Sequence, residues 1–181
     1  MISPVEKVRG CKRILDKIMA NAQDSGATSL SLQSMDELIA EVLEEWQLLR
    51  PTAQYHYSSP EKGRAGEAGL SPPRIIVDST LRAALMNLLN NAADASPQAI
   101  EIRADWDSSN FKLEIHDQGA GLSKEAMRQA GSAFFTTKVG GRGLGLMLTN
   151  ATIERMGGTV RVFNRAQGGA TTLLTLPIVA V

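Results

Sequence analysis

The segment Gly141-Arg-Gly-Leu-Gly-Leu-Met-Leu-Thr-Asn-Ala-Thr-Ile-Glu-Arg-Met-Gly-Gly158 combines a glycine-rich opening, a helix and a glycine stop. The pattern predicts a helix over Leu144–Met156, because a glycine pair is a common C-cap signal. A glycine-rich backbone that leads into a helix N-terminus presents free amides and the positive end of the helix dipole to phosphate. Lys138 and Arg142 either reach a β- or γ-phosphate there or are solvated surface charges.

Strands flank this segment on both sides. Upstream, Ile100–Trp106 and Phe111–His116 are predicted to form a hairpin. Downstream, Thr159–Asn164 and Thr171–Pro177 are predicted to pair around a Gly168-Gly169 turn. The segment and its neighbours therefore predict a sheet with at least one covering helix.

The first half of the chain adds two helices and two short strands. Asp78 or Ser79 caps a helix that follows the short strand Arg74–Val77, and residues 53–57 alternate as a strand. The earlier helix ends before Pro51, and its apolar face is formed by Met35, Leu38, Ile39, Val42, Leu43, Trp46 and Leu49. Runs of strands with three helices predict an α+β fold, a two-layer α/β sandwich whose mixed, mostly antiparallel sheet is covered by three helices.

The N-terminal residues predict a separate short helix over 4–22. Its apolar seam of Val8, Cys11, Leu15, Ile18 and Ala22 extends over two heptads, fewer than the 3–4 or so that an independent coiled coil needs. The helix is either half of a helical hairpin or a surface helix packed on its own domain. The predicted organisation is an N-terminal helical remnant at 1–24, a polar linker at 25–34 and one domain at 35–181.

Composition excludes several classes of protein. Lys plus Arg equals Asp plus Glu, 19 of each in 181 residues, so no basic field predicts a nucleic-acid partner. The single cysteine, Cys11, cannot form an internal disulfide and suits a reducing compartment. No stretch approaches the roughly 18 apolar residues of a membrane span, and no signal-peptide pattern begins the chain. We expect a cytoplasmic chain without direct membrane contact.

Two asparagines lie one turn apart on the predicted capped helix. Asn87 and Asn91 are separated by four residues and so share a helix face. An amide oxygen is a neutral, hard ligand that suits a Mg²⁺ ion bridging phosphates. The alternative is that these asparagines only cap or bridge, although asparagine within a helix is unfavourable and needs a reason.

Asp117 stands at a predicted strand end, and Gly119 and Gly121 follow it. A buried carboxylate there can accept a hydrogen bond from an exocyclic amine, and the glycines let the backbone approach a flat ring. Such a site favours adenine over guanine, since a base without the donor leaves the carboxylate unpaired. The alternative is a plain Asp-Gly turn.

Taken together, these motifs resemble the catalytic and ATP-binding domain of sensor histidine kinases. The resemblance rests on the order N-x-x-x-N-A, D-x-G-x-G, F-F-T-T-K, G-x-G-L-G-L and G-G-A-T, and it covers residues 35–181. The superfamily also includes DNA gyrase, the MutL repair ATPases and the heat-shock chaperone ATPases. The resemblance implies a pocket for ATP and Mg²⁺, with Asn91 as the metal ligand, Asp117 as the adenine contact and Thr171 as an adenine-side contact.

The resemblance also implies a full set of site residues. Asn87 and Lys138 are the implied catalytic residues. The implied nucleotide-binding residues are Asn91, Asp94, Asp117, Gly119, Gly121, Thr136, Thr137, Lys138, Arg142, Gly143, Leu144, Gly145, Leu146 and Thr171.

Three positions refine this resemblance. The ATP-hydrolysing branch has a glutamate base at the position of Asn87, and a neutral amide cannot take a proton from water, so the γ-phosphate is kept for transfer. Asp94 stands where many members have Lys or Arg, which leaves the phosphate charge to Mg²⁺ and to Lys138 or Arg142. Ala170 replaces a usual glycine.

The phosphoacceptor of such a kinase is a histidine followed closely by an acidic residue and, a few positions on, by a proline. Neither histidine fits this pattern, since His56 lies in Gln-Tyr-His-Tyr and His116 immediately precedes Asp117 on its predicted strand. We therefore expect a piece that binds ATP without phosphorylating itself. The implied partners are the kinase's own phosphoacceptor dimerisation helices in a homodimer and a response regulator, in the cytoplasmic portion of a membrane-bound bacterial sensor kinase. The alternatives are a serine kinase of the anti-sigma type, which normally carries the glutamate, and a nucleotide-sensing interaction module.

Residues 10–15 also resemble the second dimerisation helix of redox-responding kinases of the RegB/PrrB/RoxS type. This resemblance implies a redox switch at Cys11, which lies on the apolar seam. The alternative is that Cys11 is an inert, buried, small hydrophobic residue.

Overall fold

A computed structural model describes residues 31–60, 72–123 and 144–178. Three helices and seven strands occur in this part of the chain. In order, they are β1 (Ser31–Ser34), α1 (Met35–Leu49), β2 (Tyr55–Ser58), β3 (Arg74–Val77), α2 (Ser79–Ala95), β4 (Ile100–Trp106), β5 (Asn110–His116), α3 (Leu144–Arg155), β6 (Thr159–Asn164) and β7 (Ala170–Pro177).

The main sheet has five strands in the order β2-β4-β5-β7-β6. The β2–β4 pair is parallel, and the other three pairs are antiparallel. Alternate residues of β4, β5 and β7 join the buried faces of the helices in one hydrophobic core. The predicted α+β sandwich, with a mixed sheet and three helices, is therefore confirmed.

Helix α1 begins with a capping box. The Ser34 hydroxyl accepts from the Glu37 N–H, and the Glu37 carboxylate accepts from the Ser34 N–H, both at 3.4 Å. Its apolar face is buried from Met35 to Trp46, but Leu49, predicted on the same face, is exposed in the last turn. The Trp46 indole N–H donates to Oδ1 of Asn90 at 3.2 Å. The indole satisfies its polar group in this way and joins α1 to α2.

The prediction of a linker over 25–34 is wrong at its end. Ser31–Ser34 is a strand, and it pairs antiparallel with Arg74–Val77 in a separate two-stranded sheet. Leu32 is the one apolar residue of this strand, so no alternation was visible in the sequence, and its pairing comes from a segment more than 40 residues away. The predicted helix at 4–22 lies outside the described residues.

Helix α3 ends in the predicted glycine pair. The Gly158 N–H donates to the Ile153 carbonyl and the Gly157 N–H to the Glu154 carbonyl, each at 2.9 Å. Gly157 has φ +76°, the left-handed conformation that this termination requires. The helix is thereby turned directly into β6.

Candidate active site

The beginning of α3 lies against the asparagine helix. A Cβ built on Gly145 would be 3.7 Å from both Cγ and Oδ1 of Asn87. Asn87 and Asn91 are both partly buried on α2, one turn apart. The structure thus brings the N-x-x-x-N-A and G-x-G-L-G-L motifs into contact, with Gly145 beside the Asn87 amide.

The other end of α2 lies against the loop after β5. A Cβ on Gly119 would be 2.9 Å from both Cβ and the carbonyl oxygen of Ala95. Such contacts are shorter than real Cβ atoms make, so this position requires glycine for close approach of the backbone. The D-x-G-x-G motif therefore contacts the C-terminal turn of the same helix that carries Asn87 and Asn91.

Asp117 is held at this point by two backbone donors. Its side chain is buried, and Oδ1 accepts from the Gly119 N–H at 2.9 Å and from the Ala170 N–H at 3.1 Å. The first bond makes the predicted Asp-Gly turn. Among the described residues, no donor is bonded to Oδ2. The turn and the ligand interpretation are compatible, because each uses a different oxygen.

The G-G-A-T motif lies directly on this loop. A Cβ on Gly169, where φ is +77°, would be 2.0 Å from the Asp117 carbonyl oxygen. Only glycine fits between the two backbones. The loop after β5 is therefore enclosed between the end of α2 and the turn before β7. The N-x-x-x-N-A, D-x-G-x-G, G-x-G-L-G-L and G-G-A-T motifs thus form one continuous region.

Thr171 requires a correction. It pairs with His116 across β5 and β7, and its hydroxyl lies 2.8 Å from Nδ1 of that histidine. His116 and Asp117 are consecutive, so their side chains leave opposite faces of the sheet. The structure therefore puts the Thr171 side chain on the face away from the Asp117 carboxylate. On the Asp117 side, the neighbouring strand contributes the Ala170 N–H.

His116 is buried on that outer face. Burial lowers the pKa of its imidazole, although the nearby Glu114 carboxylate opposes the shift. Nε2 lies 3.1 Å from Oε2 of Glu114 but does not form a hydrogen bond in this orientation. The neutral imidazole is thus favoured, and its defined partner is the Thr171 hydroxyl.

Asp94, predicted near the phosphates, has a protein partner. Its carboxylate lies 2.8 Å from Nη2 of Arg50, the C-cap residue of α1. Arg50 was not singled out from the sequence, because the contact joins two helix ends 44 residues apart and leaves no local pattern. Arg50 thus compensates the negative charge of Asp94, the residue that stands where many family members have Lys or Arg.

The remaining predicted residues divide into two groups. Leu146 is partly buried and packs against the core, and Leu144 is the first residue of α3. The other predicted residues lie outside the described ranges: Thr136, Thr137, Lys138, Arg142, Gly143 and Cys11. Two residues near Asp117 that the sequence interpretation missed are Asn164 and Arg165, which contact the loop after β5. In the sequence they are marked only as polar residues at the end of a predicted strand.

Residues 76–180 match the family described as histidine kinase-, DNA gyrase B-, and HSP90-like ATPase. The chain is 30% identical over 165 residues to Sporulation kinase B of Bacillus subtilis (strain 168), covering 88% of this chain and 37% of that protein. It is 34% identical over 103 residues to Sensor protein DegM of Bacillus sp. (strain B21-2), covering 56% and 28%. The chain thus spans well under half the length of these relatives.

Solved structures with the same fold are also kinases. Mycobacterial sensor histidine kinase MprB superposes with a TM-score of 0.65 at 27% identity, covering 82% of this chain and 97% of that one. The catalytic domain of histidine kinase ThkA gives 0.66 at 24% identity, covering 83% and 96%. The second likeness concerns the fold alone. Within the described residues, no helix combines the length and the apolarity needed to cross a bilayer.

Proposed function

The chain belongs to the family of histidine kinase-, DNA gyrase B-, and HSP90-like ATPases, and we propose that it is the ATP-binding catalytic domain of a two-component sensor histidine kinase. One observation carries this proposal. The N-x-x-x-N-A, D-x-G-x-G, G-x-G-L-G-L and G-G-A-T motifs meet around α2, with Gly145 beside Asn87, Gly119 beside Ala95 and Gly169 on the Asp117 backbone.

Asp117 is the residue that recognises the base. Its Oδ1 is already engaged by the Gly119 and Ala170 N–H groups, so the carboxylate is fixed in orientation. Its Oδ2 then accepts from the exocyclic amine of adenine. Guanine presents a carbonyl oxygen at that position, and two acceptors facing each other would repel.

The phosphate side is formed by α2 and the beginning of α3. The amide oxygen of Asn91 fits Mg²⁺, which favours neutral and anionic oxygen ligands and shares its coordination shell with phosphates and water. Asn87 lies one turn away, beside the glycine at position 145. When bound, the ion would offset the negative charge of the phosphates. Lys138, Arg142 and the first backbone N–H groups of α3 are proposed to bind the terminal phosphates.

The reaction is transfer of the γ-phosphoryl group to an imidazole nitrogen, with ADP as the leaving group. Asn87 cannot act as a general base, so water is not activated beside the γ-phosphate. His116 does not suit the role of acceptor, because it is buried and its Nδ1 faces Thr171. The proposed acceptor is a histidine on the dimerisation helices of the kinase homodimer, from which a response regulator takes the phosphoryl group.

The finer assignment is a redox-responding kinase of the RegB/PrrB/RoxS type, acting in the cytoplasmic portion of a membrane-bound sensor. In this proposal Cys11 forms an intermolecular disulfide under oxidation, which requires two copies to approach along the predicted N-terminal seam. Non-reducing gels of wild type and Cys11→Ser under a mild oxidant test it. A dimer band in wild type alone supports the switch, whereas monomers in both lanes reject it.

Phosphoryl transfer is tested by adding a separate acceptor-helix fragment. The chain is incubated with that fragment, Mg²⁺ and ATP labelled at the γ-phosphate. Label on the fragment's histidine, lost with Asp117→Asn, supports the kinase. Tight ATP binding without transfer to any cognate acceptor supports a nucleotide-sensing module instead. Stable label on His56 or His116 would show that the acceptor has been misassigned.

A further inference from the structure

The loop after β5 is bonded at its far end by a side chain from the end of β6. Oδ1 of Asn164 accepts from the Leu122 N–H at 2.7 Å, and Nδ2 of Asn164 donates to the Leu122 carbonyl at 2.8 Å. Both polar groups of one peptide residue are therefore paired with one amide side chain. The geometry resembles an extra rung of a β-ladder, supplied by a side chain 42 residues away.

The neighbouring glycine is adapted to this contact. A Cβ on Gly121 would be 2.8 Å from Oδ1 of Asn164 and 3.2 Å from the Gly169 carbonyl oxygen, and its φ is +71°. A larger residue would push the Asn164 amide away from Leu122. The second glycine of the D-x-G-x-G motif thus has a role toward Asn164 in addition to any approach to a ligand.

The next residue along the chain contacts the other end of the same loop. Nη1 of Arg165 lies 3.4 Å from the Asp117 carbonyl oxygen, a long hydrogen bond. Gly169 is in direct backbone contact with that carbonyl, and the Arg165 N–H donates to the Gly169 carbonyl at 3.0 Å. The end of β6 and the turn after it therefore contact the loop at both ends, at Asp117 and at Leu122.

We propose that Asn164 is a positioning residue for the base-recognition loop, Asp117–Leu122. It fixes Leu122, and through it the course of the backbone that carries Asp117, Gly119 and Gly121. The inference rests on the proposed function of that loop. Asn164 suits the task because an amide is both donor and acceptor at one position, which neither a carboxylate nor an ammonium group is.

This role is separable from folding. Asn164 is exposed, so its bonds to Leu122 compete with water and contribute little to the stability of the core. Ordering a loop before the ligand arrives instead lowers the entropic cost of binding. Loss of this clamp, the two hydrogen bonds between Asn164 and Leu122, should therefore change nucleotide affinity and base discrimination more than thermal stability.

Three variants test the proposal. Asn164→Ala removes both bonds. Asn164→Asp keeps the size and one acceptor but sets a carboxylate oxygen against the Leu122 carbonyl. Arg161→Ala is the matched control, an exposed polar residue on the same strand. Calorimetric titration with ATP, ADP and GTP should show about tenfold weaker binding of both ATP and ADP for Asn164→Ala. The loss should be at least as large for Asn164→Asp, with a smaller ATP-to-GTP preference in both.

A second measurement needs no nucleotide. Hydrogen exchange at the Leu122 amide should be faster in Asn164→Ala than in wild type and unchanged in Arg161→Ala. Wild-type affinities and discrimination in both Asn164 variants would overturn the proposal. So would a loss of affinity matched by a large fall in melting temperature, which indicates a structural role. If wild type itself binds no ATP, the proposed function fails, while exchange at Leu122 still reports whether the clamp exists.

Discussion

Gly145 lies against the amide of Asn87, so that a Cβ at position 145 would be 3.7 Å from the asparagine's Oδ1. This contact joins the first turn of α3 to the middle of α2, and the two residues are more than 50 positions apart in the chain. We propose that the phosphates lie beside this contact. A Cβ at position 145 would meet only ordinary van der Waals contact, so packing against Asn87 does not by itself require glycine there.

Substitution of Gly145 should therefore separate binding from folding. Gly145→Ala adds a methyl group at normal contact distance and favours the helix by roughly 1 kcal/mol, so the fold should be kept or strengthened. Gly145→Val should weaken ATP binding at least tenfold, because its branches extend into the space before Asn87. Titration calorimetry with thermal unfolding checks both. Wild-type ATP affinity in the valine variant would show that the phosphates lie elsewhere.

The two glycines after α3 should differ in cost although they are neighbours. A Cβ at Gly158 would be 2.3 Å from the Thr175 carbonyl oxygen, a backbone atom that cannot move without β7. Gly158→Ala should destabilise by about 3 kcal/mol or more. Gly157→Ala should cost only about 1 kcal/mol, mainly from its φ of +76°. Urea unfolding of both variants measures the difference, and equal losses would contradict the assigned packing of α3 on β7.

Asp78 should make stability depend on pH at acidic values. Burial raises its pKa, but hydrogen bonds from the Thr80 hydroxyl, the Leu81 N–H and Arg155 outweigh it, so the pKa is lowered. A folded-state pKa below the unfolded one contributes stability above pH of about 4, and this is lost as pH falls through the folded value. The Arg155 contact at 2.9 Å is part of this contribution.

Asp78→Asn is the matched variant, because asparagine also caps helices but does not titrate. Urea unfolding between pH 7 and pH 2.5 should show wild type more stable at neutral pH, with the difference shrinking as the pH falls through the folded-state pKa of Asp78. Asp78→Ala should lose about 1 kcal/mol more than Asp78→Asn at pH 7 through loss of the cap. A wild-type advantage that persists at the lowest pH would contradict the account.

Helices were predictable from the sequence where periodicity and caps agreed, and strands where apolar residues alternate. Helix α1 has an apolar periodicity and a proline stop signal, and it ends before Pro51 as predicted. Strand β1 has no alternation, because its four residues include one apolar side chain. The prediction of the site was wrong in one detail, the face of the sheet on which Thr171 lies. The late glycine motif indicates a strand start but not which face each residue takes, and a difference of one position moves Thr171 to the opposite face.

Polar contacts between segments far apart in sequence were not predictable. Arg50 with Asp94, and Asn164 with Leu122, join elements that only the tertiary fold brings together. Neither contact produces a periodic pattern or a composition signal. The glycines of the motifs were visible, however, because a close backbone approach requires that residue type wherever it occurs.

Thr171→Val tests the corrected position of that residue. The substitution keeps the shape but removes the hydroxyl 2.8 Å from Nδ1 of buried His116, so we expect a loss of about 1–3 kcal/mol in unfolding free energy. ATP affinity should stay within about twofold of wild type, since the hydroxyl leaves the face opposite Asp117. Unfolding and titration on the same preparation separate the two effects. Weaker ATP binding at unchanged stability would restore the adenine-side role.

The most direct test of the central claim is calorimetric titration of ATP, ADP and GTP, with Mg²⁺, into wild type and Asp117→Asn. Asparagine keeps one oxygen for the Gly119 and Ala170 N–H groups but replaces Oδ2 with a donor that faces the adenine amine. We predict that wild type binds ATP and ADP about 100-fold or more tightly than GTP. The variant should stay folded and lose that preference. Equal affinity of wild type for GTP and ATP, or unchanged ATP binding by Asp117→Asn, would contradict the account.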